Sequence, residues 1–432
     1  MNTIRLPKNY LLAGSLGALF LGLLLGIIAK QGSIIFLFSL STILEPLGTL
    51  WINSLRMLVV PLLISYIIIS VASFSEIKST FRVGGGAVFA HLVYLGLGLA
   101  LMIIIVPPLV AQFEVTPAIR EALQSDVIEA PTISRDAVPS TGWGDAITYI
   151  VPSNIFRAAV NEDILPLFVA ALLFALAISR ISDTHRKPLI KFFNAIIETL
   201  HVLIRWILLA MPYAVFILVF AMATRAGLDL FAALAYFVML FCGLLILLTL
   251  FLYIITPILG GVSFSKFARA SAPAQVMAVG TRSSMVCLPA LIEGARDRLG
   301  LPAEVVGIVM PLAVSMFKIN KAVSGPLQVF FLAHLYGIPL EPLAIAVFFM
   351  AYIPTSFSSP GIPSGGFFVS LPLYIALGIP VEGVVLLRTV DAIPDIFKTV
   401  ANVTEDMSVA TLVSRFSPES SLVAEASVGH EL

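Results

Sequence analysis

The sequence predicts an all-α polytopic membrane protein, and three observations lead to that fold class. Charged residues make up 12% of the 432 residues, roughly half of the share, about 25%, that is typical of soluble domains. Hydrophobic residues make up 59%, and the mean hydropathy is +1.04. Apolar runs of about 20 residues, the length that spans a bilayer, recur along the chain.

Uninterrupted apolar runs in the first part of the chain predict six spanning helices. The first run has no small-residue cleavage site and more hydrophobic segments follow it, so we expect a retained helix rather than a signal peptide. The six runs lie at 10–29, 45–74, 86–111, 164–179, 190–224 and 231–259. Three later apolar regions, broken by Pro, Gly and Ser, lie at 272–295, 304–336 and 343–376, and a last apolar region spans 381–413.

Charged loops between the runs predict the orientation of the chain. The loops at 76–82, 180–191 and 264–269 are basic, whereas the loop at 112–142 is acidic and rich in Pro, Ser and Thr. Basic loops stay on the cytoplasmic side of a membrane. The alternation therefore predicts six full spans with a cytoplasmic N-terminus and the acidic loop outside. We also expect a cytoplasmic C-terminus and a location in the cell (inner) membrane. The polar tail after Phe416 is assigned no structure.

Two segments in the second half place small polar residues, Pro or Gly in the middle of apolar regions. One reads TRSSMVCLP at 281–289 and the other reads SFSSPGIPSGG at 356–366. Non-helical backbone at bilayer depth is tolerated only inside protein or beside water, and paired interruptions point to a transporter binding site. We therefore expect two re-entrant helical hairpins whose tips face each other. Two kinked spanning helices are the alternative, since Pro and Gly are common in membrane helices.

Two lysines, Lys318 and Lys321, lie close together in the stretch FKINK at 317–321. A lysine at bilayer depth costs free energy and usually marks a functional site. One of the two could instead extend to water and balance acidic residues nearby. Because both lie in mid-span, that explanation does not suffice for the pair.

The last apolar region carries the densest polar signal, in the motif DAIPDIFKTVANVTED. Its polar positions are spaced by four, three, four and four, which places them on one stripe of a helix. These positions are Asp391, Asp395, Lys398, Asn402 and Asp406. An ionisable stripe cannot face lipid, so it faces the protein interior or water. A salt-bridge ladder centred on Asp395 and Lys398 is the alternative, but three acids and one base leave charge over for a ligand, an ion or the lysines of FKINK.

At these residues the chain resembles the dicarboxylate/amino acid:cation symporters, the glutamate-transporter family. The likeness covers residues 10–415 and also includes LRMLVVPLLISYIIISVASF at 55–74 and IVPSNIFRAAVNEDILPLFVAALLFALA at 150–177. The resemblance implies eight transmembrane helices, two re-entrant helical hairpins, inverted repeats and a homotrimer. It also implies a static scaffold and a transport domain that carries substrate across the membrane like an elevator.

The resemblance divides the chain into those two domains. Scaffold helices 1 and 2 would lie in 1–82, and the external loop with scaffold helices 4 and 5 in 112–225. The transport domain would take helix 3 from 83–111. It would take helix 6, hairpin 1, helix 7, hairpin 2 and helix 8 from 226–415, which leaves 416–432 as a polar tail.

The resemblance also implies which residues bind the substrate. The counterpart of Asp395 binds an amino group, and an arginine at the position of Lys398 binds a side-chain carboxylate. Lysine is a point charge rather than a planar fork, so this departure changes how an anionic group is held. The other implied substrate-binding residues are Thr399 and Asn402 on the last helix, Arg282, Ser283 and Ser284 at the first hairpin, and Pro360, Gly361 and Ile362 at the second.

The sodium sites of the family are altered in this chain. Asp406 and Asn402 match residues of one sodium site, but FKINK stands where sodium-coupled relatives have Asn-Met-Asp-Gly-Thr. An approximate alignment puts His91, Tyr94 and Leu95 at the third-helix sodium ligands. Sodium needs a cage of oxygens, which Phe, Ile and Leu do not supply.

We therefore expect the lysines to take the place of bound cations. Lys318 and Lys321 would be tethered cations that pair with Asp391, Asp395 or Asp406, and uptake would not need sodium. A buried lysine also loses its proton readily, so proton coupling is a further outcome, with His91 a weaker candidate for the proton site.

The predicted function is secondary transport of a small anionic solute, a dicarboxylate or an amino acid, by an elevator mechanism. We expect no enzyme activity, no cofactor, no resident metal and no nucleic-acid partner. The expected partners are the solute, membrane lipid and further copies of the chain in a homotrimer. The alternatives are a conventional sodium-coupled symporter, a passive anion channel or receptor, and an intramembrane protease. The protease is least favoured because the hairpin pattern already accounts for the serines of a Ser–Lys dyad.

Overall fold

The computed structural model describes residues 8–74, 81–124, 151–160, 164–357 and 365–416. Within these ranges the regular secondary structure is helical and contains no strand. The second half of the acidic loop, the tip of the second predicted hairpin with Pro360, Gly361 and Ile362, and the polar tail lie outside the described residues.

Eighteen α-helices make up the described part of the chain. In order they are α1 Lys8–Gly32, α2 Ile35–Arg56, α3 Val59–Phe74, α4 Phe81–Val110, α5 Pro117–Gln124, α6 Ile155–Val160, α7 Ile164–Ile178, α8 Asp183–Leu209, α9 Met211–Ala226, α10 Leu228–Gly260, α11 Phe264–Thr281, α12 Ser284–Glu293, α13 Ala303–Met316, α14 Lys321–Tyr336, α15 Pro342–Tyr352, α16 Gly365–Ala376, α17 Val381–Thr389 and α18 Pro394–Phe416. A π-helical turn, Gly294–Leu299, follows α12, and a 3-10 helix, Ile353–Phe357, follows α15.

Several of these helices have the length and composition to cross a membrane. The five candidate spans in the described ranges are Ile35–Ile69, Val83–Val110, Asp183–Leu209, Leu228–Gly260 and Ala303–Tyr336. Shorter apolar helices lie at Gly17–Gly32, Val169–Ile178, Met211–Ala226 and Pro342–Phe357. Large apolar side chains such as Ile104 and Ile258 are exposed on the spans, which suits contact with lipid. The prediction of an all-α membrane protein with several spans is confirmed.

The last helix, α18, lies at the centre of one group of helices. It packs against α4, α10, α11, α12 and α13, and α14 packs along α4. The side chains of residues 401–411 are all buried. The contact between α4 and α14 is close, because a Cβ placed on Gly98 would lie 2.8 Å from the Ala322 Cβ. Polar residues on α18 therefore face other helices rather than lipid.

The helices of the first half form a second group. Helix α9 packs against α1 and α2, and α3 packs against α7 and α8. Arg225 on α9 forms a salt bridge of 3.0 Å with Glu45 on α2. The Lys30 ammonium on α1 donates to the Arg225 carbonyl at 2.6 Å. Apolar packing and these polar links join the first-half helices to one another.

The chain folds back on itself between α11 and α12. Arg282 ends α11 in the left-handed conformation with φ of 51°, a region that residues other than glycine rarely adopt. Beyond α12, the Arg298 guanidinium donates to the Arg269 carbonyl at 2.8 Å. Gly294 lies against the Ala270 carbonyl so closely that a Cβ would be 2.3 Å from that oxygen. The segment TRSSM therefore forms the turn of an antiparallel helical pair.

The apolar region 304–336 is interrupted at the lysines and not at its prolines. Pro311 and Pro326 lie inside α13 and α14, whereas the helix is interrupted at 317–320. Phe317 is extended, with φ of −85° and ψ of 129°. The amide of Asn320 donates to the Asn402 side-chain oxygen at 3.1 Å, so a group on α18 satisfies backbone that the break leaves free.

The predicted stripe of five polar residues is helical only from Asp395 onward. Helix α18 begins at Pro394, and Asp391 lies in the turn that precedes it. Proline favours the first turn of a helix and disfavours helical backbone in the residue before it. Asp391 is therefore held apart from the helical stripe, at the junction of α17 and α18.

Candidate functional site

Two groups of ionisable side chains meet α18 at different levels. The first, here called the cationic cluster, lies at the start of the helix and consists of Arg282, Arg388, Asp391, Asp395 and Lys398. The second, here called the acidic cluster, lies further along and consists of His91, Lys318, Glu405 and Asp406. Ionisable groups inside a membrane protein mark candidate substrate and ion sites.

Asp391 holds two cations in the cationic cluster. One carboxylate oxygen accepts from the Arg388 guanidinium, and the other accepts from the Lys398 ammonium. Asp391 and Lys398 are both buried, and the Lys398 ammonium lies 4.8 Å from the centre of the Phe241 ring. Lys398 pairs with Asp391, whereas the sequence-based alternative paired it with Asp395.

Asp395 is the open acceptor of the cationic cluster. No group in the described ranges donates to its carboxylate, and the residue is partly exposed. It lies within electrostatic reach of Lys398, Arg388 and Arg282. The five side chains of the cluster thus carry three positive and two negative charges, and the Lys321 ammonium is within electrostatic reach of Lys398 and Arg388, so the cluster favours an anion.

The first turn supplies the remaining cation and two hydroxyl groups. Arg282 and Ser283 link α11 to α12, and Ser284 begins α12. All three residues are partly exposed. Because Arg282 is within electrostatic reach of Asp395, the structure brings the first turn to the start of α18. The second set of tip residues, Pro360 to Ile362, falls outside the described part.

Thr399 and Asn402 connect the cluster to the neighbouring backbone. The Thr399 hydroxyl donates to the Asp395 carbonyl at 2.8 Å. The Asn402 side-chain oxygen accepts from both the amide and the side-chain nitrogen of Asn320, each at 3.1 Å. Asn402 is therefore the residue through which α18 holds the break at 317–320.

The side chains of the two lysines of FKINK contact different parts of the protein. The Lys318 ammonium donates to the Val314 carbonyl at 2.8 Å and lies within electrostatic reach of Asp406 and Glu405. The buried Lys321 ammonium donates to the Ser370 hydroxyl at 2.8 Å and lies 4.9 Å from the centre of the Tyr352 ring. Lys318 belongs to the acidic cluster, and Lys321 contacts α15 and α16.

The acidic cluster contains two fully buried carboxylates. Among the described residues, neither oxygen of Asp406 has a hydrogen-bond partner, and one oxygen of Glu405 has none. The other Glu405 oxygen lies 2.5 Å from His91 Nδ1. His91 Nε2 lies 3.0 Å from the Ser356 hydroxyl, and its ring stacks on Phe317 with centroids 4.5 Å apart.

Three hydroxyl groups and a leucine lie near the acidic cluster. The Tyr94 hydroxyl lies 2.6 Å from the Ser408 hydroxyl, which lies 2.5 Å from the Thr256 hydroxyl. Leu95 is buried among apolar side chains. Within the ranges that the structure covers, no group of three or more His, Cys, Asp or Glu side chains could hold a metal ion.

Sequence reasoning missed Arg388, Glu405, Ser356 and Ser370. Arg388 is the basic residue of the apolar segment VEGVVLLRT, and Glu405 is an acid in mid-helix. Both carry the signal of an ionisable group at bilayer depth. The two serines carry no comparable signal, because hydroxyl groups are common in membrane helices and are satisfied by their own backbone.

Comparison with known proteins gives the same family for most of the chain. The model of the sodium:dicarboxylate symporter family matches residues 11–416. The proton/sodium-glutamate symport protein of Bacillus subtilis (strain 168) is 27% identical over 402 residues, which cover 92% of this chain and 91% of that protein. The proton/glutamate-aspartate symporter of Escherichia coli (strain K12) is 26% identical over 402 residues, with coverage of 92% and 91%.

A relative named for a different substrate has a similar sequence identity to this chain. The C4-dicarboxylate transport protein of Bacillus subtilis (strain 168) is 25% identical over 379 residues, which cover 86% of each chain. The family and these relatives are secondary transporters, not enzymes. Because the family model spans nearly the whole chain, this protein belongs to the sodium:dicarboxylate symporter family.

Proposed function

We propose that the protein moves a small anionic solute, a dicarboxylate or an acidic amino acid, across the inner membrane. The single observation that carries the proposal is the cationic cluster, whose three cations exceed its two carboxylates. An anion that entered this cluster would offset the excess charge. The names of the relatives, which include glutamate, aspartate and C4-dicarboxylates, agree with that ligand class.

Each group in the cluster has a proposed role. Asp395 accepts a hydrogen bond from a substrate ammonium, because its carboxylate is open. Lys398 and Arg282 attract carboxylates, and Asp391 holds Lys398 in place. The remaining proposed contacts come from Thr399 and Asn402, from the first turn with Ser283 and Ser284, and from the second tip with Pro360, Gly361 and Ile362.

Coupling is proposed to be independent of sodium. Phe317, which stacks on His91, and Ile319 are fully buried and offer no side-chain oxygen, which hard cations such as sodium require. The Lys318 ammonium carries the same unit charge as sodium and faces Asp406. Lys318 acts as a tethered cation there, and Lys321 acts as a second one beside Ser370. We therefore do not propose Asp406 as a metal ligand in this chain.

The proposed architecture has eight spanning helices, two re-entrant hairpins related by inverted repeats, and two domains. The scaffold comprises 1–82 and 112–225, and the transport domain comprises 83–111 and 226–415. Packing supports this division, since α18 contacts α4, α10, α11 and α13, whereas α9 contacts α1 and α2. The transport domain would move as an elevator within a homotrimer, with both termini cytoplasmic. Native mass spectrometry in mild detergent tests the trimer, and a monomer would contradict it.

Uptake by purified protein in liposomes tests the proposed function. The probes are radiolabelled L-glutamate, L-aspartate and succinate, with sodium replaced by choline at fixed pH. We expect sodium-free uptake of at least one probe, and concentrative uptake once a pH gradient, acidic outside, is imposed. Absence of uptake and of exchange for all three probes contradicts the solute class. Uptake down a gradient only would identify a passive channel.

A sodium-coupled symporter is the second candidate function, and one observation favours it. Both oxygens of Asp406 are buried and, among described residues, without a hydrogen-bond partner. A carboxylate that binds a cation would have such free oxygens when the cation is absent. The same uptake experiment decides between the candidates. A strict, cooperative requirement for sodium would favour this second function and reject Lys318 as the replacement cation.

A further inference from the structure

The buried pair of His91 and Glu405 makes a chain of three short polar contacts. Glu405 Oε1 lies 2.5 Å from His91 Nδ1. His91 Nε2 lies 3.0 Å from the Ser356 Oγ. The Ser356 Oγ in turn lies 2.7 Å from the Ile353 carbonyl oxygen. Both members of the pair are fully buried, so water does not share these contacts.

Each of the three contacts needs one proton. A carbonyl oxygen and a carboxylate only accept, a hydroxyl has one proton to donate, and a neutral imidazole has one N–H. The Ser356 hydroxyl and a neutral His91 ring therefore supply two protons. The chain of contacts lacks a third unless the pair holds one more.

The two arrangements without an extra proton each leave two acceptors face to face. If the serine donates to Ile353, the ring must donate from Nε2, and bare Nδ1 then meets the Glu405 carboxylate at 2.5 Å. If the ring donates from Nδ1 instead, the serine must donate to Nε2, and its oxygen then meets the Ile353 carbonyl at 2.7 Å. Lone pairs at such separations repel, and burial keeps bulk water from relieving the repulsion.

We propose that the His91–Glu405 pair binds one exchangeable proton, shared between Nδ1 and Oε1, and that this proton is the ion coupled to transport. The inference rests on the proposed function, because only a transporter has a coupled ion. With the proton bound, the pair has no net charge. When the proton leaves to water, the pair becomes an anion and one of the three contacts must break.

The charges around the pair agree with a bound proton. On α18 the pair faces Asp406, and on the break after α13 it faces Lys318. On α4, which carries His91, Tyr94 is within electrostatic reach of Glu405. The 3-10 helix contributes the neutral Ser356. Lys318 and Asp406 offset each other, so the acidic cluster is neutral when the pair holds its proton and carries one negative charge when it does not. A net charge inside a membrane protein is costly.

The pair also connects three parts of the fold. His91 is on α4, Glu405 is on α18, and Ser356 is on the 3-10 helix that follows α15. The rings of Phe317 and Phe357 pack on the imidazole at 4.5 and 4.9 Å. Loss of the proton therefore loosens the contact between the 3-10 helix and the α4–α18 pair, which links proton binding to the position of Ser356.

A spectroscopic experiment tests the bound proton without reference to transport. The wild-type protein, labelled at its five histidines, is reconstituted in lipid, and nitrogen NMR and infrared spectra are recorded at neutral pH. The His91 signal is identified by its loss in His91→Gln, with His185→Gln, at an exposed position, as the matched control. A doubly protonated His91 ring, or a protonated carboxyl band that disappears in Glu405→Gln, supports the proposal. A neutral ring beside an ionised Glu405 overturns it.

A transport experiment then tests the coupling. The glutamine amide of Glu405→Gln can donate to Nδ1, which satisfies all three contacts without the extra proton. We expect this variant to keep exchange of labelled for unlabelled probe but to lose the acceleration of net uptake by an imposed pH gradient. Glu341→Gln, at an exposed position, should keep both. Net uptake by Glu405→Gln that still responds to the gradient as in wild type overturns the coupling.

The probes in that experiment are L-glutamate, L-aspartate and succinate. Exchange by the wild-type protein shows that the proposed function stands whatever the variant does. If the wild type neither exchanges nor accumulates any probe, the proposed function fails rather than the proton site, and the spectra still decide whether the proton is bound.

Discussion

Lys398 and Asp391 form a buried ion pair across the junction between α17 and α18, although they are seven residues apart in sequence. The same carboxylate also accepts from Arg388. A single acid thus holds two cations beside the open carboxylate of Asp395. The pair stabilises the junction and at the same time keeps positive charge where an anionic solute would bind.

The substitution Asp395→Asn should weaken the binding of amino acids but not that of succinate. The amide removes the negative charge that we assign to the substrate ammonium, and succinate carries no ammonium. Removing one partner of a buried charge pair costs about 3–5 kcal/mol, and each 1.4 kcal/mol is about tenfold in affinity. Thermal-shift titrations with L-aspartate and succinate should show a loss of at least about 100-fold for aspartate alone.

The exposed substitution Asp183→Asn is the control for that experiment, since Asp183 lies at the start of α8. Equal losses for both ligands would contradict the specific role of Asp395 and indicate a general disturbance of the site.

The substitution Asp391→Asn should lower the thermal stability of the protein. It leaves the buried Lys398 ammonium without its carboxylate partner, and breaking a buried pair in this way costs about 3–5 kcal/mol. The melting temperature in detergent measures the effect. Asp391→Asn combined with Lys398→Met removes the stranded charge and should recover part of the loss. A double variant no more stable than Asp391→Asn would show that the stranded Lys398 charge is not the cause of the loss.

The double substitution Lys318→Met with Lys321→Thr should make uptake depend on sodium. It removes both tethered cations and restores two residue types of the sodium-coupled motif, one at position 318 near Asp406 and one at position 321 near Ser370. Uptake with sodium and with choline, at the same pH, measures the change. Lys266→Met, at an exposed position, should behave as the wild type. Sodium-independent uptake at the wild-type rate in the double variant would show that the lysines do not replace bound cations.

The substitution Gly294→Ala should destabilise the packing of the π-helical turn that follows α12 against α11. A Cβ at this position would lie 2.3 Å from the Ala270 carbonyl oxygen, so the two segments must separate. Gly307→Ala is the matched control, because a Cβ there meets nothing within 4 Å and alanine favours the helix by up to about 1 kcal/mol. Melting temperatures should fall for the first and hold or rise for the second. Equal melting temperatures would contradict the close packing.

Composition and hydropathy were enough to predict the fold class, because the bilayer imposes long apolar helices on any chain that crosses it. The short-range pattern around Asp395 and Lys398 also identified α18 as an interior helix. The same pattern failed at Asp391, which periodicity placed on the helix and Pro394 placed in the turn before it. Helical spacing predicts a shared face only as far as the helix extends.

The acidic cluster could not be predicted in the same way. His91 and Glu405 are separated by 314 residues, so no local spacing connects them, and only the packing of α4 against α18 brings them together. The divergence of Lys318 and Lys321 has a similar cause. Their spacing of three predicts a shared face on a continuous helix, but the break at 317–320 turns the two side chains toward different neighbours.

The hydrogen bonds from Asn320 to Asn402 have a consequence for biosynthesis. Chains emerge from the ribosome N-terminus first, so the interrupted segment between α13 and α14 is made before the residue that satisfies it. Until α18 has been synthesised and inserted, the Asn320 amide at the interruption lacks the acceptor that Asn402 supplies. A chain truncated before Pro394 therefore leaves the donors of Asn320 without this acceptor within the membrane.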